Sequence, residues 1–198
     1  FYTLQNETTL RSEAIYKHTI GSNTKDDALV YEEKDDTFGV GVYKTKSNKY
    51  LVISSYSTLT TEYQILNADT PNQPFKVFQP RTRGLEYSIA HYGDSFYVVS
   101  NADGAKNFKL SKTSENQTEK PFWRDVIPHR SDVLLEGIDI FKDFLVISER
   151  KNGLNQIKIT RWDGTDQYYL PFESETYTAY TTTNIDFDTN SLRYGYQS

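Results

Sequence analysis

The sequence predicts an all-β protein, a partial β-propeller of four-stranded antiparallel sheets, and three observations carry that reading. Aromatic residues make up 15% of the 198 positions, with 16 Tyr and 11 Phe. β-Branched residues are common and strong helix formers few, a composition suited to pleated, half-buried strands. A four-residue strand-like run then recurs: Tyr2-Thr-Leu-Gln5, Leu51-Val-Ile-Ser54, Tyr97-Val-Val-Ser100, Leu145-Val-Ile-Ser148 and Leu192-Arg-Tyr-Gly195, with successive starts 49, 46, 48 and 47 residues apart. Finally, each middle copy is preceded by an aromatic (Tyr50, Phe96, Phe144) and followed, 11 or 12 residues after it begins, by an apolar–polar–apolar triplet. A period of this length is that of one propeller blade.

The strands of a blade can be assigned in order. An innermost strand is expected at 39–45, 85–92, 134–141 and 177–187, each followed by one of the recurring runs. Those runs are apolar on both faces, as a strand sandwiched between neighbouring sheets requires. The third strand carries the triplets Tyr63-Gln-Ile65, Phe108-Lys-Leu110 and Ile157-Lys-Ile159, whose alternation suits one wetter face, and an outer strand is expected at 75–80, 123–129 and 167–172. Turn signals such as "YGDS", "NADG", "KNG" and "WDG" separate the segments.

The expected division is the end of one blade at 1–38, complete blades at 39–84, 85–133 and 134–176, and the start of another at 177–198. This is about four blades' worth, an arc that cannot close a ring alone. A β-solenoid would repeat at shorter intervals, and a β-sandwich would not repeat so evenly.

Composition narrows the function classes. The net charge of −5 and pI near 5.3 argue against a nucleic-acid partner. No stretch approaches the ~18 apolar residues of a membrane span. The absence of cysteine excludes disulfides and thiolate chemistry. Phe1 falls inside a strand-like segment, which is expected of a chain cut from a longer one, and the exposed sheet edges at such cuts are expected either to pair with a second copy or to be covered by further polypeptide.

Candidate chemistry is sparse. Gly93-Asp94-Ser95 reads as a hairpin turn, and no G-x-S-x-G nucleophile elbow occurs. Gly39-Val-Gly41 lies within a strand, where close packing explains it better than a phosphate loop. Asp186, Asp188 and Asn190 are spaced like the start of a calcium loop but lack its later Gly and Glu. His18, His91 and His129 share no metal-ligand spacing, so neither metal nor cofactor is expected. The acidic cluster Glu32, Glu33, Asp35 and Asp36 reads as a solvated loop, with attraction of a cationic ligand as the functional alternative. Glu86, Glu136 and Asp139 lie on expected inner strands, where they could face a channel; a glycosidase pair is the functional alternative to a wet channel wall.

The strings "LVYEEKDDTF", "EYSIAHY", "FYVVSNADGAKNFKL", "VIPHRSDVLLEGIDIFKDFLVISERKNGL" and "LRYGYQS" together resemble the propeller of the prolyl oligopeptidase family of serine peptidases. The resemblance runs nearly end to end. It implies a seven-bladed propeller capping a catalytic α/β-hydrolase domain, in the branch that cleaves short peptides after Arg or Lys, and a cytoplasmic protein, with the periplasm as the alternative. It implies that the catalytic Ser, Asp and His lie outside these residues, so no catalytic residue is assigned here. The peptide substrate and the hydrolase domain of the same parent chain are the implied partners. His129 and Arg130 are expected to make interblade or interdomain polar contacts. Arg81, with Arg83 in a blade-to-blade connection, is expected either in a solvated loop or as a salt-bridge partner holding the enzyme closed. The rival reading is a non-catalytic propeller that binds a protein partner, because propellers host many functions.

Overall fold

Each recurring run from the second to the fourth copy folds as the second strand of its own antiparallel sheet. The computed structural model describes residues 1–198. A three-stranded sheet comes first, from β1 (Tyr2–Gln5), β2 (Ser12–Lys17) and β3 (Ala28–Glu32). Three four-stranded sheets follow: β4 (Gly39–Lys44), β5 (Tyr50–Tyr56), β6 (Thr61–Asn67) and β7 (Lys76–Val77); β8 (Tyr87–Tyr92), β9 (Ser95–Ser100), β10 (Lys109–Ser114) and β11 (Arg124–Ile127); β12 (Val133–Ile140), β13 (Phe144–Lys151), β14 (Leu154–Arg161) and β15 (Tyr168–Tyr169). A two-stranded sheet, β16 (Thr178–Thr181) with β17 (Tyr194–Gln197), ends the chain. Every pairing joins strands adjacent in sequence, so each sheet is an up-and-down meander.

Local chemistry sets the hairpins. Between β8 and β9 the two-residue turn Gly93-Asp94 places Gly93 at φ 64°, a left-handed conformation that glycine adopts without a Cβ penalty. Ser95 is buried, and its hydroxyl donates to Asp94 at 2.7 Å, a turn contact rather than a poised nucleophile. Gly39 sits opposite Tyr56, whose ring lies 3.2 Å from where a Cβ would stand. Gly195 is tighter still, since an added Cβ would lie 2.5 Å from the ring of Tyr180. In both places a tyrosine ring fills the space over a cross-strand glycine.

The outer strands are shorter than the sequence suggests. Only Lys76–Val77 forms within 75–80, Arg124–Ile127 within 123–129, and Tyr168–Tyr169 within 167–172. Each is a sheet edge with one partner, and Pro74, Pro80, Pro128 and Pro171 flank them without an N–H to extend the ladder. Within 177–187 the strand stops at Thr181, and the fifth recurring run enters its strand only at Tyr194.

The chain groups into two units, Phe1–Glu86 and Tyr87–Ser198. In the first, Ile15, Val40 and Ile53 form a core joining the first two sheets, with Phe1 edge-on to Phe75 beside it. In the second, Tyr97, Val99, Leu110, Leu135, Ile140, Leu145 and Ile147 fill the space between the third and fourth sheets. Phe141, Val146, Ile157 and Ala179 do the same between the fourth and fifth. All six residues of β9 are buried, and burial of each large apolar side chain contributes roughly 1.5–3 kcal/mol. Tyr92 and Trp162 stack at 3.8 Å, and each gives its polar hydrogen to a turn carbonyl, Tyr92 to Lys142 and Trp162 to Phe141.

Candidate functional site

A meander sorts residues by sheet end. In the four-stranded sheets the start of the first strand, the end of the second, the start of the third and the end of the fourth share one end, which also carries the connector to the next sheet; in the three-stranded first sheet the end of β3 carries that connector. Glu33 and Glu149 lie at this end of their units, whereas the pairs His18–Asp27 and His91–Glu115 lie at the opposite end.

In the first unit the centre is Glu33, 5% exposed, immediately after β3. Arg81, from the connector after β7, places Nη2 at 2.5 Å from Glu33 Oε2 and 3.4 Å from Glu62 Oε1. The Arg81 amide also donates to Glu62 Oε2 at 2.9 Å. The Tyr31 hydroxyl donates to Glu33 at 2.9 Å, and the Asp35 amide donates to its other oxygen at 3.1 Å. The guanidinium lies 3.8 Å from the centre of the Phe38 ring, using the planar, weakly hydrated face that distinguishes Arg from Lys.

Burial works to raise the Glu33 carboxyl, but hydrogen bonds from Arg81, the Asp35 amide and Tyr31 outweigh it and hold the group below the usual carboxylate range. Burial likewise opposes the Arg81 cation, and the two carboxylates overcome that and raise its pKa. Beside Arg81 lies a groove of about 510 Å³, walled by Phe38, Leu59, Thr60, Asp35 and Arg83.

In the second unit the centre is Glu149 on β13, 1% exposed. Arg130, from the connector after β11, forms an ion pair with one carboxylate oxygen, and the Tyr169 hydroxyl on β15 donates to the other at 2.8 Å. Burial works against the Arg130 cation, and the hydrogen bond and charge of Glu149 prevail to raise it. Burial raises the Tyr169 phenol, and Glu149 adds to that rise. The Asn107 side-chain amide holds the connector by donating to the carbonyls of Arg130 and Ser131 at 3.1 and 2.9 Å. Nearby on β12, a register break between Leu135 and Gly137 turns Glu136 outward, where it accepts from Arg150 at 2.7 Å and Asn155 at 2.9 Å.

The placements differ from several sequence expectations. The acidic segment 32–36 is not uniformly solvated, because Glu33 is buried and bound by Arg81. Arg81 is no free loop cation but an anchor between two carboxylates of its own unit. Arg130 is likewise an anchor, whereas His129 beside it is exposed. Glu136 is occupied by Arg150 and Asn155, and Asp139 lies half-buried toward the opposite end of β12. Glu86 is half-buried at the close of the first unit. Glu33 belongs to the acidic cluster noted in the sequence, whereas the buried Glu149 and the phenols Tyr31 and Tyr169 were missed as parts of a site. The signal for Glu149 was its place directly after a buried "LVIS" run, at the position where the other middle copies carry Ser55 and Asn101. Chemically, these groups hold fixed charges and brace connectors.

Comparison with known proteins agrees with this architecture. A family profile described as "Prolyl oligopeptidase, N-terminal beta-propeller domain" matches residues 1–198. Dipeptidyl aminopeptidase BI of Pseudoxanthomonas mexicana is 37% identical over 198 residues, covering all of this chain and 27% of that protein. Protease 2 of Moraxella lacunata is 31% identical over 198 residues, again all of this chain and 28% of that protein. Oligopeptidase B of Leishmania major superposes with a TM-score of 0.91 at 25% identity, covering 100% of this chain and 29% of that one. The chain therefore spans a little over a quarter of the length of these relatives.

Proposed function

Since the chain belongs to the prolyl oligopeptidase family, as part of its N-terminal β-propeller domain, we propose that it is the substrate-gating portion of a serine oligopeptidase that hydrolyses short peptides after Arg or Lys. The observation that carries this reading is the end-to-end match to protease 2 and oligopeptidase B, in sequence and in fold. In this reading the serine nucleophile, its acid and its histidine belong to a hydrolase domain outside these residues. The propeller excludes folded proteins by size and admits peptides by moving relative to that domain, as enzyme lids do. The acidic balance of the chain, −5, favours the approach of cationic peptides. The relatives are several times longer than this chain, and in this reading further polypeptide of the full-length protein covers the open sheets, so that self-association is not required.

A second reading has its own observation, the 37% identity to a dipeptidyl aminopeptidase. The two separate by the substrate amine. The full-length protein is assayed with an N-blocked Arg-Arg aminomethylcoumarin and with an unblocked dipeptidyl aminomethylcoumarin. Cleavage of the blocked basic substrate, abolished by a serine-directed inhibitor, supports the first reading. Cleavage of the unblocked substrate alone supports the second. Serine-inhibited activity on neither, together with tight retention of a protein partner, would turn the assignment to a binding module. Gating is tested by size: a basic site should be cut in an octapeptide and spared within a folded protein.

A further inference from the structure

Within the second unit, between the third and fourth sheets, runs a groove of about 460 Å³ that the proposed gating role does not use. Tyr97 of β9, Ile127 of β11 and Trp162 give it apolar walls, and Lys112 of β10 and Lys158 of β14 line it as well. No carboxylate lines it. The two lysines make no ion pair; they rest over aromatic rings, Lys112 at 5.7 Å from the Tyr97 centroid and Lys158 at 5.8 Å from that of Tyr169. Arg161 at one end is matched by Asp166 at 2.9 Å, so the uncompensated charge of the groove is that of the lysines. In a chain of net charge −5, two uncompensated cations lining one cleft of mixed polar and apolar walls form a local reversal of sign.

We propose that this groove binds a short acidic polypeptide segment in which an aromatic or aliphatic side chain stands among carboxylates. Three features select that occupant. Lys112 and Lys158 complement carboxylates and would steer them in. The walls of Ile127, Trp162 and Tyr97 reward an apolar side chain between them. β11, which lines the groove through Val126 and Ile127, is the outer edge of its sheet and pairs only with β10. An extended peptide can therefore add main-chain hydrogen bonds along that edge. A free phosphate would satisfy the lysines but neither the walls nor the edge.

The test uses the full-length polypeptide and a fluorescein-labelled, end-blocked peptide, Glu-Phe-Glu-Glu-Phe-Glu, followed by anisotropy. It contains no basic residue, so its binding does not depend on which peptide bonds the protein cleaves, and failure here leaves the peptidase reading standing. Saturable binding is expected, weakened roughly tenfold or more on raising salt well above physiological strength, because the contact is charge-led. K112E/K158E should weaken it by about tenfold or more. The charge-matched control K25E/K34E, at exposed lysines of the other unit, should leave it unchanged. A folding loss in K112E/K158E is detected by near-ultraviolet circular dichroism, and K112Q/K158Q then gives the same comparison with less repulsion. Absence of binding, equal weakening by the control pair, equal affinity for a peptide with Gln in place of every Glu, or displacement by low-millimolar inorganic phosphate would each overturn the proposal, the last in favour of a small-anion site.

Discussion

The two units each hold a Glu–Arg–Tyr trio, and they assemble it from different strand positions. In residues 1–86 the carboxylate follows an outermost strand and the phenol comes from that same strand, as Glu33 and Tyr31. In residues 87–198 the carboxylate sits on a second strand and the phenol on an outermost one, as Glu149 and Tyr169. The arginine comes from a sheet-to-sheet connector in both. The fixed requirement is thus a guanidinium that pins a connector, and the carboxylate is free to come from wherever burial is available. Redundancy also differs. Arg81 meets two carboxylates and Glu33 also receives a backbone amide, whereas Arg130 and Tyr169 are the partners of a carboxylate only 1% exposed.

This asymmetry can be broken or sharpened by substitution. Arg130→Ala should have the largest effect, about 3 kcal/mol or more in chemical unfolding, since it strands the Glu149 charge in a buried site. Arg81→Ala should cost less, about 2 kcal/mol, because the Asp35 amide and Tyr31 continue to serve Glu33. Equal costs for the two would remove the asymmetry. Glu33 also gives a pH signature. Its carboxyl is held below the ordinary value, so its stabilisation is complete above that value and is lost as pH falls through the lowered one. Glu33→Gln should therefore flatten the acid side of the stability profile, and an unchanged acid side would deny Glu33 that role. Tyr169→Phe should cost about 1.5 kcal/mol, the lower end of the scale for one hydrogen bond to a charged group, because the main partner of Glu149 remains. Smallest is Arg150→Ala, below about 0.5 kcal/mol, because the Glu136 pair is largely solvent-exposed. A thermal-midpoint shift for Arg150→Ala matching that of Arg130→Ala would place the structural weight on the exposed pair instead.

The fold was more legible than the site, for a physical reason. A second strand is buried on both faces whatever the blade, so its apolar run, as in Val52-Ile53, Val98-Val99 and Val146-Ile147, repeats visibly. Outer strands such as Lys76–Val77 face water and answer to flanking prolines, so their lengths were overestimated. The charged trios pair residues far apart in sequence, 48 positions for Glu33 and Arg81 and 19 for Arg130 and Glu149. No local pattern marks such pairs. The sequence places Arg81 in a connector but does not say that a buried carboxylate waits for it. The outward turn of Glu136 depends on a strand irregularity, which alternation of apolar and polar residues does not encode.

The meander order of every sheet bears on how the protein comes into being. Because strands pair only with their neighbours in the chain, the second sheet needs nothing beyond residues 39–77 and the fourth nothing beyond 133–169 for its own ladder. Contacts of such short range keep the entropy of loop closure small and let structure accumulate in the order of synthesis. A chain emerging from the ribosome would then carry one unfinished sheet at a time, and within each unit a completed sheet would offer its apolar face as the template on which the next condenses.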